Sequence, residues 1–413
     1  MVKKKLSASI TLIFLCWLVY ACSYIGKVNY SANINQVMEF YNVDHSSAGL
    51  ASTFFFFAYG VGQVINGLFC KKYNLKWMIF SSLALSGVIN LIVGITNNFA
   101  IIKYLWLFNG LAMSVLWPTL IRLLSESLDK SVMPKASMIM GTTVATGTFL
   151  VYSLSALFVK INFKLSFYLP ACIFFVVACV WLFSCSSLIA KAKGENKEDE
   201  PQIANVAEKK DVNYNKMLIV LSICTLAIYG VATNLIKDGL TTWVPSILKE
   251  QYDLGSSLSI ILTLALPVVS IFANAFAIKI HSKIPDFVLQ CAITFFCAGL
   301  IIGGVIAGLS LNQFIITLVG FTLVCFLVSS CNSLITSIFP LFMKGKVNSG
   351  RIAGILNGFC YLGSTISSYG LGEIADNFGW TMVFWVLLCV CLFVCVVATL
   401  YLLLRKGINK NEA

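Results

Sequence analysis

"KAKGENKEDEPQIANVAEKKDVNYNK", residues 191–216, is a long polar and charged stretch in a chain that is otherwise strongly apolar. The 413 residues are 59% hydrophobic and only 11% charged, with a mean hydropathy of +0.88. A soluble domain carries about 25% charged residues. The composition therefore predicts an integral, multi-pass protein of the lipid bilayer, and the polar stretch marks a division within it.

Apolar segments long enough to cross a bilayer lie on both sides of this stretch. Before it they cover 10–37, 46–70, 76–96, 100–124, 135–158 and 166–189. After it they cover 216–247, 256–280, 285–307, 313–340, 351–374 and 380–404. We predict an all-α membrane protein with 12 transmembrane helices in two parallel six-helix repeats. The predicted domains are an N-terminal bundle over 1–190, a cytoplasmic linker over 191–215 and a C-terminal bundle over 216–413.

The basic residues predict the orientation of the chain. With the N-terminus inside the cell, 23 of the 29 lysines and arginines fall on the cytoplasmic side, four fall outside and two lie within spans. This is the positive-inside pattern, and it predicts that both termini are cytoplasmic. We expect the protein to lie in the cell (inner) membrane. The pattern accounts for the net charge of +12 without a nucleic-acid partner.

Little in the sequence suggests covalent chemistry. The 15 cysteines lie mostly within apolar segments, there are only two histidines, and no CxxC pair or Cys/His cluster is present. Cysteine in such a setting behaves as a small hydrophobic residue. No catalytic nucleophile arrangement and no phosphate-binding glycine loop is present either. We expect no enzyme activity, no metal and no cofactor.

Two lysines lie inside predicted spans. Lys27, in "SYIGKVNYSANI" (23–34), falls near the middle of the first span, and Lys237 falls in "NLIKDGLTTWVPSILKE" of the seventh. A lysine at the centre of a membrane helix costs about 2.5–3.5 kcal/mol on insertion scales. The two lysines are 210 residues apart, and the same offset carries Ser46–Ser47 onto Ser256–Ser257. Parallel repeats related by an axis along the membrane normal would turn both lysines toward a central cavity.

An anion bound at the two lysines would relieve both their desolvation and their mutual repulsion. The alternative is that each lysine is paired with a nearby protein carboxylate. Asp238 is the candidate partner of Lys237, but adjacent helix positions point about 100° apart, so we expect it not to face that lysine. Near Lys27 the acidic residues, Glu39 and Asp44, lie only at the outer end of the span. We therefore favour an anion site.

Polar side chains recur at helical spacing around the lysines. Tyr20, Tyr24 and Lys27 are spaced i, i+4, i+7, which places them on one face of one helix. Tyr59 and Gln63 form a similar pair on the second span. Asn234 precedes Lys237 on the seventh span, and Asn357 and Tyr361 begin a polar stripe on the eleventh. Such stripes inside membrane spans line substrate cavities or hold helices together, and jointly with two lysines they favour a cavity.

Several motifs resemble those of a known family. "YIGKVNYSA", "IKDGLTTWVPSILKE", "LWPTLIR", "GFCYLGS" and "DNFGW" are similar to segments of major facilitator superfamily transporters, most of all the organophosphate:anion antiporters. That branch includes the glycerol-3-phosphate and hexose-phosphate exchangers. The resemblance puts Lys27 and Lys237 at the positions of the two phosphate-binding arginines. It puts Tyr20, Tyr24, Tyr59, Trp117 and Tyr361 at cavity-lining positions.

The chain also departs from the family pattern. Both arginines are lysines, and an ammonium is a compact point charge where a guanidinium offers a planar fork to phosphate. The family's further basic residues are Val28 and Gln63 here, and its helix-five histidine is missing. The related anion:cation symporters, which move sugar acids and other carboxylates, are therefore the second possibility. A membrane sensor that binds a phosphorylated sugar without moving it is the third.

The expected function is secondary active transport of a small organic anion by alternating access, either in exchange for phosphate or with a proton. The expected partners are that anion, the bilayer and a counter-anion or proton, and we expect a monomer. Trp117–Pro118 predicts a kink or a cap over the cavity. The predicted substrate-binding residues are Lys27, Lys237, Tyr20, Tyr24, Asn29, Tyr59, Gln63, Trp117, Asn234, Asn357 and Tyr361.

Overall fold

The computed structural model describes residues 2–69, 74–129, 132–193, 216–343 and 349–410, and almost all of them are helical. All but the first three residues of the predicted linker 191–215 lie outside the described residues. The helices are α1 (Val2–Ile25), α2 (Asn29–Ala32), α3 (Ile34–Tyr41), α4 (His45–Phe69), α5 (Leu75–Ile95), α6 (Phe99–Ser114), α7 (Leu116–Ser127), α8 (Met133–Gly141), α9 (Thr143–Phe158), α10 (Leu165–Lys193), α11 (Lys216–Tyr252), α12 (Ser256–Thr263), α13 (Ala265–Ser270), α14 (Ala273–His281), α15 (Phe287–Ser310), α16 (Phe314–Ser333), α17 (Phe339–Phe342), α18 (Ser349–Phe378) and α19 (Trp380–Lys410). A π-helical turn, Leu334–Ile338, separates α16 from α17.

The all-α membrane architecture is confirmed. Within the described ranges, 11 helical stretches are long and apolar enough to cross a membrane. The eleventh predicted span, 351–374, is helical within α18, which is 30 residues long. It is not among the 11, and the serines and threonine of its polar stripe lower its hydropathy.

Packing divides the chain into two compact units. The first comprises Met1–Lys197 and Thr242–Val268, and the second comprises Glu198–Thr241 and Val269–Ala413. The end of α11 and all of α12 therefore cluster with the first unit, although they follow the predicted linker in the chain. The predicted bundle boundaries at residues 190 and 216 stay predictions.

In the first unit, α4 packs on α6, α5 on α10, and α1 on both α9 and α10. Its core contains large buried aromatic residues, among them Tyr30, Phe55 and Trp106, whose rings contact one another through Trp106. Tyr30 also donates its hydroxyl to the carbonyl of Ala48, so this polar group is satisfied inside the bundle.

In the second unit, α15 is central and packs on α16 and α19, while α14 packs on α16 and α18 on α19. Phe321 and Phe384 stack with ring centroids 5.2 Å apart, and the buried Tyr229 contacts Phe295. In both units large apolar side chains such as Phe183 and Ile315 are exposed on the outside, as expected for surfaces that face lipid.

Prolines interrupt several spans. α6 ends at Ser114 and α12 ends at Thr263, in each case four residues before a proline. Pro118 and Pro267 lack the N–H that would bond these carbonyls, which explains both breaks. The first of these breaks lies where Trp117–Pro118 predicts a kink. Pro340 lies in the first turn of α17, which directly follows the π-helical turn.

Candidate functional site

Each candidate lysine follows a close contact between a glycine and a backbone carbonyl. A Cβ added to Gly147 on α9 would lie 2.4 Å from the carbonyl oxygen of Ala21 on α1. One added to Gly363 on α18 would lie 2.0 Å from that of Val231 on α11. Ala21 and Val231 are 210 residues apart, the same offset that relates the lysines, and each lysine comes six residues later. The same backbone contact therefore positions a lysine in each unit.

Lys27 lies at a break in the first span. α1 ends at Ile25, the amides of Lys27 and Val28 both donate to the carbonyl of Tyr24, and helical structure resumes at Asn29. The prediction that Tyr20, Tyr24 and Lys27 share one helix is wrong for Lys27. The turn nonetheless keeps its ammonium beside the Tyr24 ring. Interrupted helices of this kind form ion and substrate sites in many transporters.

The Lys27 ammonium is surrounded by aromatic rings. Its Nζ lies 4.1 Å from the ring centroid of Tyr59, 5.0 Å from that of Tyr24 and 6.0 Å from that of Phe55. The residue is 9% exposed. Each ring contact contributes about 0.5–2 kcal/mol, so the rings offset part of the cost of placing a cation here. They leave its positive charge in place.

The other aromatic candidates of the first unit are in contact with the rings around Lys27, which we call the aromatic cage. Tyr24 contacts Tyr20 edge-on at 5.6 Å between centroids, and Tyr20 contacts Trp117 at 4.6 Å. The structure thus brings Tyr20, Tyr24, Tyr59 and Trp117 into one continuous surface with Lys27. Gln63 lies one helical turn beyond Tyr59 on α4 and is half-buried.

Asn29 is not part of this surface. Its side-chain amide is fully buried and donates to the Asn90 side chain and to the Ser166 carbonyl, each at 2.9 Å. These bonds join α2 to α5 and α10. Its amide hydrogens therefore hold the bundle together and do not face the aromatic cage.

Lys237 of the second unit has a protein counter-ion. Its Nζ lies 3.3 Å from Oδ1 of Asp238, and the two side chains are 27% and 16% exposed. The expectation that Asp238 would not face Lys237 is wrong. The four-methylene lysine stem is long enough to bend across the angle between adjacent helix positions, which a rule based on Cβ directions does not allow for.

A chain of hydrogen bonds ends on the other oxygen of Asp238. The Asn332 amide donates to Oδ1 of Asn234 at 2.8 Å, and the Asn234 amide donates to Oγ of Ser364 at 3.1 Å. Ser364 then donates to Oδ2 of Asp238 at 2.5 Å. All three bonds run toward the carboxylate, so the network fixes the position of its side chain. Asn234 thus forms hydrogen bonds to side chains of both α16 and α18.

Asn357 and Tyr361 lie on α18, before Ser364 in the chain. They precede Ser364 by seven and three residues, so the three share one helix face, and both are half-buried. The structure brings this face to α11, where Gly363 and Val231 meet.

A second polar cluster lies in the first unit, where the end of α11 meets α3 and α4. Lys249 forms an ion pair with Glu39, and Nε2 of His45 lies 2.7 Å from Oε1 of Glu250. Ser246 adds a hydrogen bond of 2.6 Å to a side chain of α3.

Several residues of these sites were not predicted from the sequence. Phe55 lies one turn before Tyr59, so the same i, i+4 spacing that selected Tyr59 and Gln63 could have found it. Asn332 is a polar residue within an apolar span, which is a usable signal. Ser364 lies seven residues after Asn357, on the same face of the same span, which is also a usable signal. Among the described residues no group of three or more His, Cys, Asp or Glu could hold a metal ion.

Comparison with known proteins identifies the family. The model for the Major Facilitator Superfamily matches residues 16–367, most of the chain. The chain belongs to the major facilitator superfamily. It is therefore an integral, multi-pass membrane protein by family and architecture, and the sugar phosphate exchangers among its relatives are not enzymes.

Curated relatives include sugar phosphate exchangers. Sugar phosphate exchanger 3 of Homo sapiens is 20% identical over 379 residues, which is 82% of this chain and 76% of that protein. Membrane sensor protein UhpC of Escherichia coli (strain K12) is 26% identical over 109 residues, 26% of this chain and 25% of that protein. The chain thus matches only about a quarter of the sensor's length. Glucose-6-phosphate exchanger SLC37A2 of Bos taurus is 25% identical over 172 residues, or 37% of this chain and 34% of that protein.

Solved structures share the fold. A bacterial homologue of the human lysosomal transporter Spinster, in an inward-facing and unoccupied conformation, superposes with a TM-score of 0.73 at 10% identity, over 98% of both chains. A mutant of the nucleoside transporter NupG gives a TM-score of 0.68 at 12% identity, over 95% of this chain and 99% of that one. At these identities the likeness concerns the fold alone.

Proposed function

We propose that the protein is a secondary active transporter of a small organic anion of the sugar phosphate or glycerol phosphate class, working by alternating access and in exchange for phosphate. Lys27 binds the anionic head group, and Tyr20, Tyr24, Tyr59 and Trp117 form the surface beside it. The similarity to sugar phosphate exchangers supports the substrate class.

The observation that carries the proposal is the environment of Lys27. This ammonium is nine-tenths buried, lies at a break in a membrane span and is surrounded by the faces of aromatic rings. Ring faces stabilise a cation, and an ionisable side chain inside a membrane span commonly marks a substrate or ion site. The protein needs no covalent step, because the anion is moved by a shift between conformations that bind it differently.

The role of Lys237 follows from the repeat. Its equivalent position in the second unit predicts that it is also an anion-binding residue, and Asn234, Asn357 and Tyr361 lie on α11 and α18 of that unit. Gln63 extends the first-unit surface along α4. We propose further that the protein is a monomer in the cell (inner) membrane with both termini in the cytoplasm, on the basis of its basic residues.

Counterflow in proteoliposomes tests the proposal. Vesicles loaded with unlabelled glucose 6-phosphate, glycerol 3-phosphate or inorganic phosphate should take up the labelled compound, and the rate should saturate. Lys27→Gln should abolish saturable uptake of every compound that the wild type moves. Lys103→Gln is the matched control, because that lysine also lies near a ring, 5.9 Å from the centroid of Phe99, but on a different helix. Equal uptake by the two variants would reject the role of Lys27.

A proton-coupled symporter of carboxylate sugars is the second candidate. The observation that favours it is the carboxylate of Asp238 inside a membrane span beside Lys237, since intramembrane carboxylates commonly carry protons in transporters. A proton gradient would then drive accumulation of a sugar acid without any exchange partner. Accumulation that requires internal phosphate would reject this candidate.

A membrane sensor is the third candidate, favoured by the similarity of 109 residues to UhpC. A sensor would bind a phosphorylated sugar and show no counterflow. Saturable counterflow by the purified protein would reject it.

A further inference from the structure

In the second unit, α18 lies close against α11 where Gly363 meets the carbonyl of Val231. The next residue of α18 is Ser364, which is fully buried. On α11, Asn234 and Asp238 follow Val231 by three and seven residues, so they lie on the face that this contact turns toward α18. The close approach therefore places one serine hydroxyl between an amide and a carboxylate of the neighbouring helix.

The hydroxyl of Ser364 joins these two side chains. It accepts a hydrogen bond of 3.1 Å from the Asn234 amide and donates one of 2.5 Å to Oδ2 of Asp238. The Cys360 carbonyl is a second acceptor, but it lies farther away, at 3.4 Å. A hydroxyl has one hydrogen to donate, and a carboxylate accepts a stronger hydrogen bond than a carbonyl does, so Asp238 is the preferred acceptor.

Asp238 passes this restraint on to Lys237. Its other oxygen, Oδ1, lies 3.3 Å from the Lys237 ammonium. Because Oδ2 is held by Ser364, the carboxyl group cannot rotate without losing that bond, and Oδ1 stays directed at the ammonium. Lysine has a flexible four-carbon stem, so a fixed partner removes freedom that an anion would otherwise have to remove when it binds.

We propose that Ser364 is a positioning residue for anion binding, which acts through Asp238 to hold the Lys237 ammonium in place without touching the anion. The inference rests on the proposed function, in which Lys237 is an anion-binding residue. All the residues that it uses lie within the second unit.

The expected effect follows from the freedom of one side chain. Ordering a side chain as flexible as lysine changes affinity by about twofold to tenfold. Ser364→Ala removes the hydroxyl but changes no formal charge, so the lysine keeps its attraction for an anion. The KM of this variant should therefore rise by about twofold to tenfold at an unchanged maximal rate, which is the signature of lost binding in the ground state and in transport alike.

Counterflow of labelled inorganic phosphate in proteoliposomes measures this, with the KM and the maximal rate determined separately. Ser368→Ala is the matched control, because Ser368 is also fully buried on α18 and its hydroxyl donates to a backbone carbonyl of its own helix at 3.0 Å. Its KM should equal that of the wild type. A loss of folded protein would lower the maximal rate and leave the KM unchanged. A wild-type KM in Ser364→Ala overturns the inference.

An Asp238→Ala background tests whether Ser364 acts through the carboxylate. In this background the hydroxyl has no carboxylate to hold, so adding Ser364→Ala should leave the KM of the single Asp238→Ala variant unchanged. The two substitutions are then non-additive, as expected for residues of one network. A further rise in KM by the same factor as in the wild type would overturn the inference, because Ser364 would then act independently of Asp238.

Two variants of equal shape provide an independent test should either alanine variant fail to fold. Ser364→Thr keeps the hydroxyl, whereas Ser364→Val has nearly the same shape without it. The KM of the valine variant should be about twofold to tenfold higher than that of the threonine variant. Equal KM values for the two overturn the inference.

The wild type separates this inference from the proposed function. Saturable phosphate counterflow by the wild type with an unchanged KM in Ser364→Ala would leave the proposed function standing and reject the inference alone. Absence of counterflow in the wild type would reject the proposed function, and the inference with it.

Discussion

Replacing Gly363 by alanine should destabilise the second unit and impair its lysine. The new Cβ would lie 2.0 Å from the carbonyl oxygen of Val231 and 2.9 Å from the amide nitrogen of Leu235. Both are backbone atoms, so no side chain can rotate away to make room. Ordinary contact distances begin near 3.4 Å, so α11 must move away from α18 by more than about 1 Å.

The magnitude follows from the cost of overpacking. Forcing extra volume into a well-packed interior costs about 1–3 kcal/mol, and a collision with backbone lies at the upper end. Gly370, seven residues later on the same helix, is the matched control, because a Cβ added there meets nothing within 4 Å. Alanine at that position should gain about 0.5–1 kcal/mol from helix propensity. The two variants should therefore differ by about 2–4 kcal/mol in stability.

Thermal unfolding in detergent, followed with a thiol-reactive fluorophore, measures this difference. The second unit carries buried free cysteines, including Cys291, Cys331 and Cys360, that become reactive when it unfolds. Gly363→Ala should melt well below the wild type and Gly370→Ala slightly above it. Anion uptake should fall in Gly363→Ala alone, since Lys237 follows the displaced carbonyl by six residues. Equal melting of the two variants would refute the reasoning about backbone contact.

Further predictions concern the first unit. Tyr59→Leu should lower stability by about 1–2 kcal/mol through loss of a cation–π contact, whereas Tyr59→Phe keeps the ring and should lose less stability in thermal unfolding. Asp44→Asn keeps a capping group but removes a negative charge from the N-terminus of α4, and from this largely exposed position it should cost about 0.3–1 kcal/mol. The hydrogen bonds from Ser47 lower the pKa of Asp44 below 3.8, so this stabilisation is present at neutral pH and is lost as the pH falls through that lowered value. Melting curves of the wild type and this variant should thus converge only in strong acid. Glu39→Lys should slow transport, and adding Lys249→Glu should restore the rate if their ion pair matters; failure of the double variant to recover would show that the pair is dispensable.

The spans could be predicted from the sequence because a membrane imposes long apolar segments on any helix that crosses it. Pro118 likewise predicts its break, since the missing N–H acts locally on the preceding turn. The offset of 210 residues predicts that Lys27 and Lys237 occupy equivalent positions of a repeat. The structure adds an equivalent backbone contact before each lysine. These features depend on local chemistry or on a repeat, and both can be recognised in the amino-acid sequence alone.

The remaining features depend on neighbours that helical periodicity does not identify. The break at Lys27 interrupts a segment whose residues are nearly all compatible with helix. Asn29 follows it on what periodicity treats as one polar face, but its partner Asn90 belongs to another helix. The Lys237–Asp238 contact was missed because Cβ directions do not determine the position of a flexible ammonium.

The π-helical turn Leu334–Ile338 affects how the tenth span can vary among relatives. A π turn accommodates one residue more than the α-helical turn that it replaces, because its bonds run from i to i+5. Loss of a single residue here would restore regular helix without altering the register of Asn332 on one side or Pro340 on the other. In an alignment of relatives we therefore expect one-residue gaps to fall at this turn, inside a membrane helix where gaps would otherwise be strongly selected against.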